Sequence, residues 1–181
     1  IAHVYTENLY GTVGENFTFP VQIDQKMVES VWRKNRDKVA EWEGQNKPTY
    51  FDPFRNRSVL MENGSLTIFN LEKDDAGSYE LQYRYSGEDR YLNFVLFVLD
   101  SLPEPKISCN ISDGELVFKC TADFQGSLIY RWELSNDPRS YPNQELSIPL
   151  EKVGTINKAT CVIKFSQTEK SSEISLGQCR P

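Results

Sequence analysis

Short runs in which apolar and polar residues alternate recur along this chain: Asn16 to Ile23, Glu29 to Arg33, Ser65 to Asn70, Ser78 to Tyr85 and Asn93 to Leu99. Each is rich in Val, Ile, Phe, Tyr or Thr, and Gly, Pro, Asn and Asp punctuate the gaps between them. Period-two alternation of this kind predicts half-buried β-strands, and helical periodicity is poor throughout. Many short strands separated by turn residues predict an all-β chain of antiparallel sandwiches, although a β-barrel satisfies the same periodicity.

The pattern breaks once, at Val98-Leu99-Asp100-Ser101-Leu102-Pro103-Glu104-Pro105. A strand-like run ends there and two prolines stiffen a short connector. The 181 residues therefore divide into domains at 1–100 and 101–181, each small enough for one sandwich. Composition changes across the same point. Residues 1–100 hold no cysteine and carry 11 basic and 16 acidic side chains, while residues 101–181 hold all four cysteines and carry 9 and 10.

Fixed landmarks decide between sandwich and barrel. Asp75-x-Gly77-x-Tyr79 reads as the entry into strand F of an immunoglobulin domain, where the Tyr forms a corner and a cysteine normally follows two residues later. Here Leu81 stands in that place. Gly14 to Val21 has the shape of strand B, with Val21 where its cysteine belongs, and Trp32 follows eleven residues on. Val21 and Leu81 would form an apolar pair instead of the bond that clamps the two sheets. In the second half, Cys120, Trp132 and Cys161 have the order and spacing of an intact clamp, leaving Cys109 and Cys179 to tie the first strand to the last. Four cysteines allow three connectivities. Loop closure gives each bridge a nominal worth of roughly 4 kcal/mol.

Composition narrows the function. A formal charge of -6 argues against nucleic acid or an anionic membrane as the main partner. The single histidine, His3, leaves no Ser-His-Asp or Cys-His arrangement, so no enzyme is expected. No cysteine pair or acidic loop has metal-site spacing, and neither metal nor cofactor is expected. Paired cysteines imply an oxidising compartment. Four N-x-[ST] sequons agree, at Asn16, Asn56, Asn63 and Asn110, and predict N-linked glycans. The chain has no initiating Met, no signal peptide and no apolar run of about 20 residues. It reads as a mature extracellular ectodomain whose membrane anchor is absent or cut away.

Several stretches carry a more specific resemblance: Val31-Trp32-Arg33-Lys34-Asn35-Arg36-Asp37-Lys38-Val39-Ala40-Glu41, Phe54-Arg55-Asn56-Arg57, Gly64-Ser65-Leu66-Thr67-Ile68-Phe69-Asn70-Leu71 and Val98 to Pro103. With a variable-type domain lacking its disulfide, joined to a C2-type domain with two, the chain resembles the family of leukocyte adhesion receptors that includes the SLAM receptors. The resemblance implies head-to-head binding of a protein counter-receptor on an opposing cell, the T-cell adhesion receptor of the same family. It places the contact on the face formed by strands G, F, C and C′. Alternation puts Glu29 and Arg33 on that outer face opposite Trp32, with Glu41 and Glu43 beyond. Lys34, Arg36, Asp37 and Lys38 come at the C–C′ turn, Phe51 follows as an apolar contact, and Arg84 and Asp89 come from the F–G side. Asn16, Asn56 and Asn63 fall on the other sheet or its edges. The first domain would bind, giving T-cell and NK-cell adhesion and costimulation, and the second would be a spacer. Homophilic binding and a virus-encoded soluble decoy are the competing readings.

Overall fold

In the computed structural model, residues 5–23 and 26–179 are described; His3 lies outside them. The chain divides into two compact units, Ile1–Ser101 and Leu102–Pro181. The first contains strands β1 (Thr6–Thr12), β2 (Phe17–Thr18), β3 (Glu29–Lys34), β4 (Asp37–Trp42), β5 (Thr49–Tyr50), β6 (Ser58–Leu60), β7 (Leu66–Ile68), β8 (Gly77–Tyr85) and β9 (Glu88–Leu99). They form a six-stranded sheet in the order β1-β9-β8-β3-β4-β5 and a three-stranded sheet β2-β7-β6. Only the β1–β9 pair in the larger sheet is parallel.

The core of this unit is aromatic. Phe19 lies 4.9 Å from Trp32, 4.7 Å from Tyr79 and 5.5 Å from Phe94, between ring centroids. Val21 and Leu81, which occupy the two cysteine positions, are both buried in the same cluster. Leu81 pairs with Trp32 across β8 and β3. The indole N–H of Trp32 donates to the Gly64 carbonyl at 2.8 Å, which ties the central side chain to the β6–β7 turn. The alternating run from Asn16 to Ile23 gives only a two-residue strand. Its pairing with β7 ends where the Phe19 N–H meets the Leu66 carbonyl.

A short 3-10 turn, Lys73–Asp75, leads into β8. The Tyr79 hydroxyl donates to the Asp75 carbonyl, closing the corner that the sequence foretold. Burial, reinforced by the charge of Asp75, pushes the Tyr79 phenol far above its ordinary value, so it remains a donor. Strand β9 starts at Glu88, five residues before the expected Asn93. The turn between β8 and β9 is two residues, Ser86 and Gly87, both at positive φ, which matches the twist of the strands and lets the hairpin run long.

The second unit contains β10 (Lys106–Ser112), β11 (Glu115–Thr121), β12 (Ile129–Leu134), β13 (Ser140–Tyr141), β14 (Glu145–Pro149), β15 (Lys158–Phe165) and β16 (Thr168–Ser175). Its sheets are β10-β11-β14 and β13-β12-β15-β16. Cys120 in β11 is bonded to Cys161 in β15, and Cys109 in β10 to Cys179. Trp132 is fully buried and pairs with Cys161 across β12 and β15, the same register that Trp32 has with Leu81.

The turn after β12 carries an acid-sensitive contact. Asp137 accepts the Tyr141 hydroxyl at 2.6 Å and the Arg139 N–H at 3.0 Å. These bonds, the tyrosine first, hold its carboxyl at about 2 against an ordinary 3.8. A depressed folded value means stability that is present above the ordinary pKa and lost as pH falls through the folded one. The second unit should therefore lose stability between about pH 4 and pH 2. Unfolding curves of wild type and Asp137→Asn across that range should converge towards the acid end.

Candidate protein-binding face

The outer face of the six-stranded sheet brings most of the sequence-derived residues together. Alternation along β3, β8 and β9 sends Trp32, Leu81, Tyr83 and Phe94 inward and their neighbours outward. The register then sets out rows across the sheet. One row is Asp89, Arg84 and Glu29; the next is Tyr91, Gln82, Val31 and Glu41; the third is Asn93, Glu80, Arg33 and Lys38. Phe51 lies beyond β5 at the edge, half-buried, with the Lys38 ammonium 5.8 Å from its ring centre. Glu43 follows β4 and is exposed.

Two local devices shape the face. Trp32 pairs with Ala40 but Arg33 pairs with Lys38, so Val39 is an extra residue in β4. This bulge buries both Val39 and Ala40 and puts Lys38 on the same side as Glu41. Their side chains meet at 3.1 Å. The second device is the β3–β4 turn. Asn35 and Arg36 are both at positive φ, and the Asn35 side-chain oxygen accepts the Ser78 N–H at 3.0 Å. The turn is clamped to β8, and Arg36 and Asp37 project from it exposed.

Lys34 is set apart from this group. It shares its parity with Trp32, not with Arg33, and its ammonium donates to the Asp74 carbonyl and lies 5.8 Å from the Phe54 ring centre. It serves the turn that leads into β8 and does not join the outer face. Conversely, Glu80, Gln82, Tyr91 and Asn93 belong to the face and were not among the expected contact residues. With Arg33 and Arg36 they line a groove of about 800 Å³. The signal for Glu80 and Gln82 is the period-two parity of β8, which sets them opposite the inward Leu81. Tyr91, 52% exposed, was hidden because the strand was expected to begin after it.

Charges on the face are partly neutralised within it. Arg33 donates to Gln82 at 2.7 Å and pairs with Glu80 at 3.3 Å, and Arg84 pairs with Asp89 at 3.2 Å. Glu29, Arg36, Asp37 and Glu43 have no ion-pair partner among the described residues. The sequon asparagines lie elsewhere: Asn16 precedes β2, Asn56 lies in the β5–β6 connection, Asn63 in the β6–β7 turn and Asn110 in β10 of the second unit, all exposed. Among the described residues no helix is long and apolar enough to cross a membrane.

No family model matches the chain. It is 30% identical to human lymphocyte function-associated antigen 3 over 189 residues, spanning 98% of this chain and 72% of that protein. The chain belongs to the lymphocyte function-associated antigen 3 family. It is also similar to the crystal structure of the CD2-binding domain of CD58, which is lymphocyte function-associated antigen 3, with a TM-score of 0.51 and 25% identity over 95% of this chain and 98% of that one. Human hepatic and glial cell adhesion molecule is 26% identical over 83% of this chain and 39% of its own length. These relatives are adhesion molecules and not enzymes. The immunoglobulin-like fold and paired cysteines of this member of the lymphocyte function-associated antigen 3 family accord with them.

Proposed function

We propose that this chain is a cell-surface adhesion ligand that binds CD2, the T-cell adhesion receptor, through the outer face of β9, β8, β3 and β4. The contact is head to head and promotes T-cell and NK-cell adhesion and costimulation. The first unit is read as a variable-type domain and the second as a C2-type spacer. N-linked glycans cover other surfaces. Kinship with the SLAM receptors is part of the same reading. The observation that carries it is a mixed-charge face on a chain of the lymphocyte function-associated antigen 3 family.

Such a face favours selectivity and fast encounter over tight binding. Stripping water from ion pairs roughly offsets what their attraction gains, while a wrong partner suffers like-charge clashes. Many copies between two cells then supply avidity. Weak, rapidly exchanging, salt-sensitive binding to immobilised CD2 of the matching species is the expected result in surface plasmon resonance. Lys38→Glu leaves two acidic groups side by side at residues 38 and 41 and should weaken binding by about tenfold or more, ~1.4 kcal/mol. Binding indifferent to both salt and Lys38→Glu would remove the face from the contact. No binding at all would make the chain a relative of different specificity, and sedimentation would then show whether it pairs with itself.

A further inference from the structure

A second groove opens at the other end of the first unit, away from the β3–β4 turn. It has a volume of about 540 Å³, within the range of ~300–1,000 Å³ that small-molecule sites occupy. Its walls are apolar, including Met27, Trp42, Leu60 and Met61, with Lys26 and Glu62 as polar groups. Met61 is exposed and Trp42 is half-exposed, whereas Trp32 and Trp132 are fully buried. One wall residue is itself a sequon asparagine, Asn63.

We propose that the first N-acetylglucosamine of a glycan on Asn63 occupies this groove, with its apolar C–H face against Trp42 and Met61. The inference rests on the glycosylation included in the functional reading above but not on CD2 binding. The turn presents Asn63 suitably for the task. Its side-chain oxygen is engaged, accepting the Ser65 N–H at 2.9 Å, which leaves the amide nitrogen for the sugar. In the transfer, Nδ2 bonds to C1 of the sugar of a lipid-diphosphate-linked oligosaccharide. The C1–O bond breaks, the lipid diphosphate leaves with the electron pair, and the amide proton passes to the transferase. A sugar already tethered at the rim loses little further freedom on settling into the groove, so modest contacts suffice to hold it. An aromatic wall with a few polar groups suits a ring that has an apolar face and hydroxyl edges.

The bound sugar would brace the turn on which the core depends. Gly64, next to Asn63, stands at φ +90 against Met27, and its carbonyl receives the Trp32 indole. This is the unit without a disulfide. A sugar wedged between the β6–β7 turn and Trp42 gives the turn a second attachment.

The test compares three forms of the secreted chain made in cells whose glycans endoglycosidase H can trim. One keeps a single N-acetylglucosamine at each site. One is treated with an amidase that removes the whole glycan and leaves an aspartate, which keeps the oxygen that caps Ser65. The third is Trp42→Ala, measured both with the single sugars retained and after the amidase. Glycopeptide mass spectrometry must first find sugar on Asn63. The single-sugar form should resist iodide quenching of the Trp42 emission, and amidase treatment should restore it. Amidase treatment should also lower the first unfolding transition by about 4 °C or more, and this loss should vanish in the Trp42→Ala background. Asn56→Gln should change none of these readings. An unmodified Asn63, or Trp42 quenched equally with and without the sugar, would overturn the proposal. CD2 binding, measured on the same samples, is decided separately.

Discussion

Alanine at Trp32 is expected to unfold the first unit under conditions in which alanine at Trp132 leaves the second folded. Both tryptophans are fully buried at the centre of their clusters, and truncating such a residue costs about 3–5 kcal/mol in lost burial and residual cavity. Trp32→Ala also removes the donor to the Gly64 carbonyl, adding part of the cost of an unsatisfied group. A domain has only ~5–15 kcal/mol in total. The difference lies in what remains. The second unit keeps Cys120–Cys161 and Cys109–Cys179, each worth roughly 4 kcal/mol by restraining the unfolded chain. The first has the Val21 and Leu81 side chains in those places and no cross-link. Urea titration with separate probes for the two units should show the first transition moved down by about 1–3 M in Trp32→Ala and the second still measurable in Trp132→Ala. Adding a reductant should then collapse the second unit of Trp132→Ala while leaving the wild-type first transition where it was. Equal sensitivity of the two units without reductant would mean that the aromatic cluster around Phe19 replaces the missing bond in full.

What could be read from the sequence, and what could not, follows the range of the interactions involved. Trp32, Trp132, Leu81 and the Asp75–Tyr79 corner were legible because sandwich cores impose period two and fixed spacing, and those survive in one dimension. The bulge at Val39 was not. Lys38-Val39-Ala40 fits either parity, and only pairing with β3 reveals the extra residue. The start of β9 was masked because Glu88 to Tyr91 are exposed on both sides of a hairpin that outruns its core, so no alternation marks them. The strand expected from Asn16 to Ile23 had the right alternation, but its pairing with β7 ends at Phe19, and alternation along one strand does not say where the partner strand runs out. Lys34 was placed at the turn by proximity, although its parity with Trp32 already pointed to the other side. The partner of Asp75 was beyond reach altogether, since nothing local connects residues 57 and 75.

That partner gives the other large effect: Arg57→Leu should destabilise the first unit by about 3–5 kcal/mol, because it strands a buried carboxylate. Asp75 has only 3% of its side chain exposed. Its two oxygens meet the Arg57 guanidinium at 3.1 and 2.7 Å, and one also accepts the Glu72 N–H at 2.8 Å. The hydrogen bond to Asp75, ahead of its charge, raises the already high pKa of Arg57, so the guanidinium keeps its charge. Arg57→Lys keeps the charge but not the planar fork and should fall between wild type and Arg57→Leu. Adding Asp75→Leu to Arg57→Leu should recover part of the loss, since an apolar pair does not carry the cost of an isolated charge. Thermal unfolding of wild type, Arg57→Leu, Asp75→Leu and the double variant forms a double-mutant cycle and checks this directly. The consequence should reach the binding face. The Asp75 carbonyl anchors Tyr79 at the start of β8, one residue before Glu80, which pairs with Arg33. If the corner works as described, Arg57→Leu at a temperature where it remains folded should loosen the Arg33–Glu80 end of the face before the Arg84–Asp89 end. Amide hydrogen exchange along β8 would then rise at its start and stay low at its far end, whereas uniform protection along the strand would show that the corner braces the core alone.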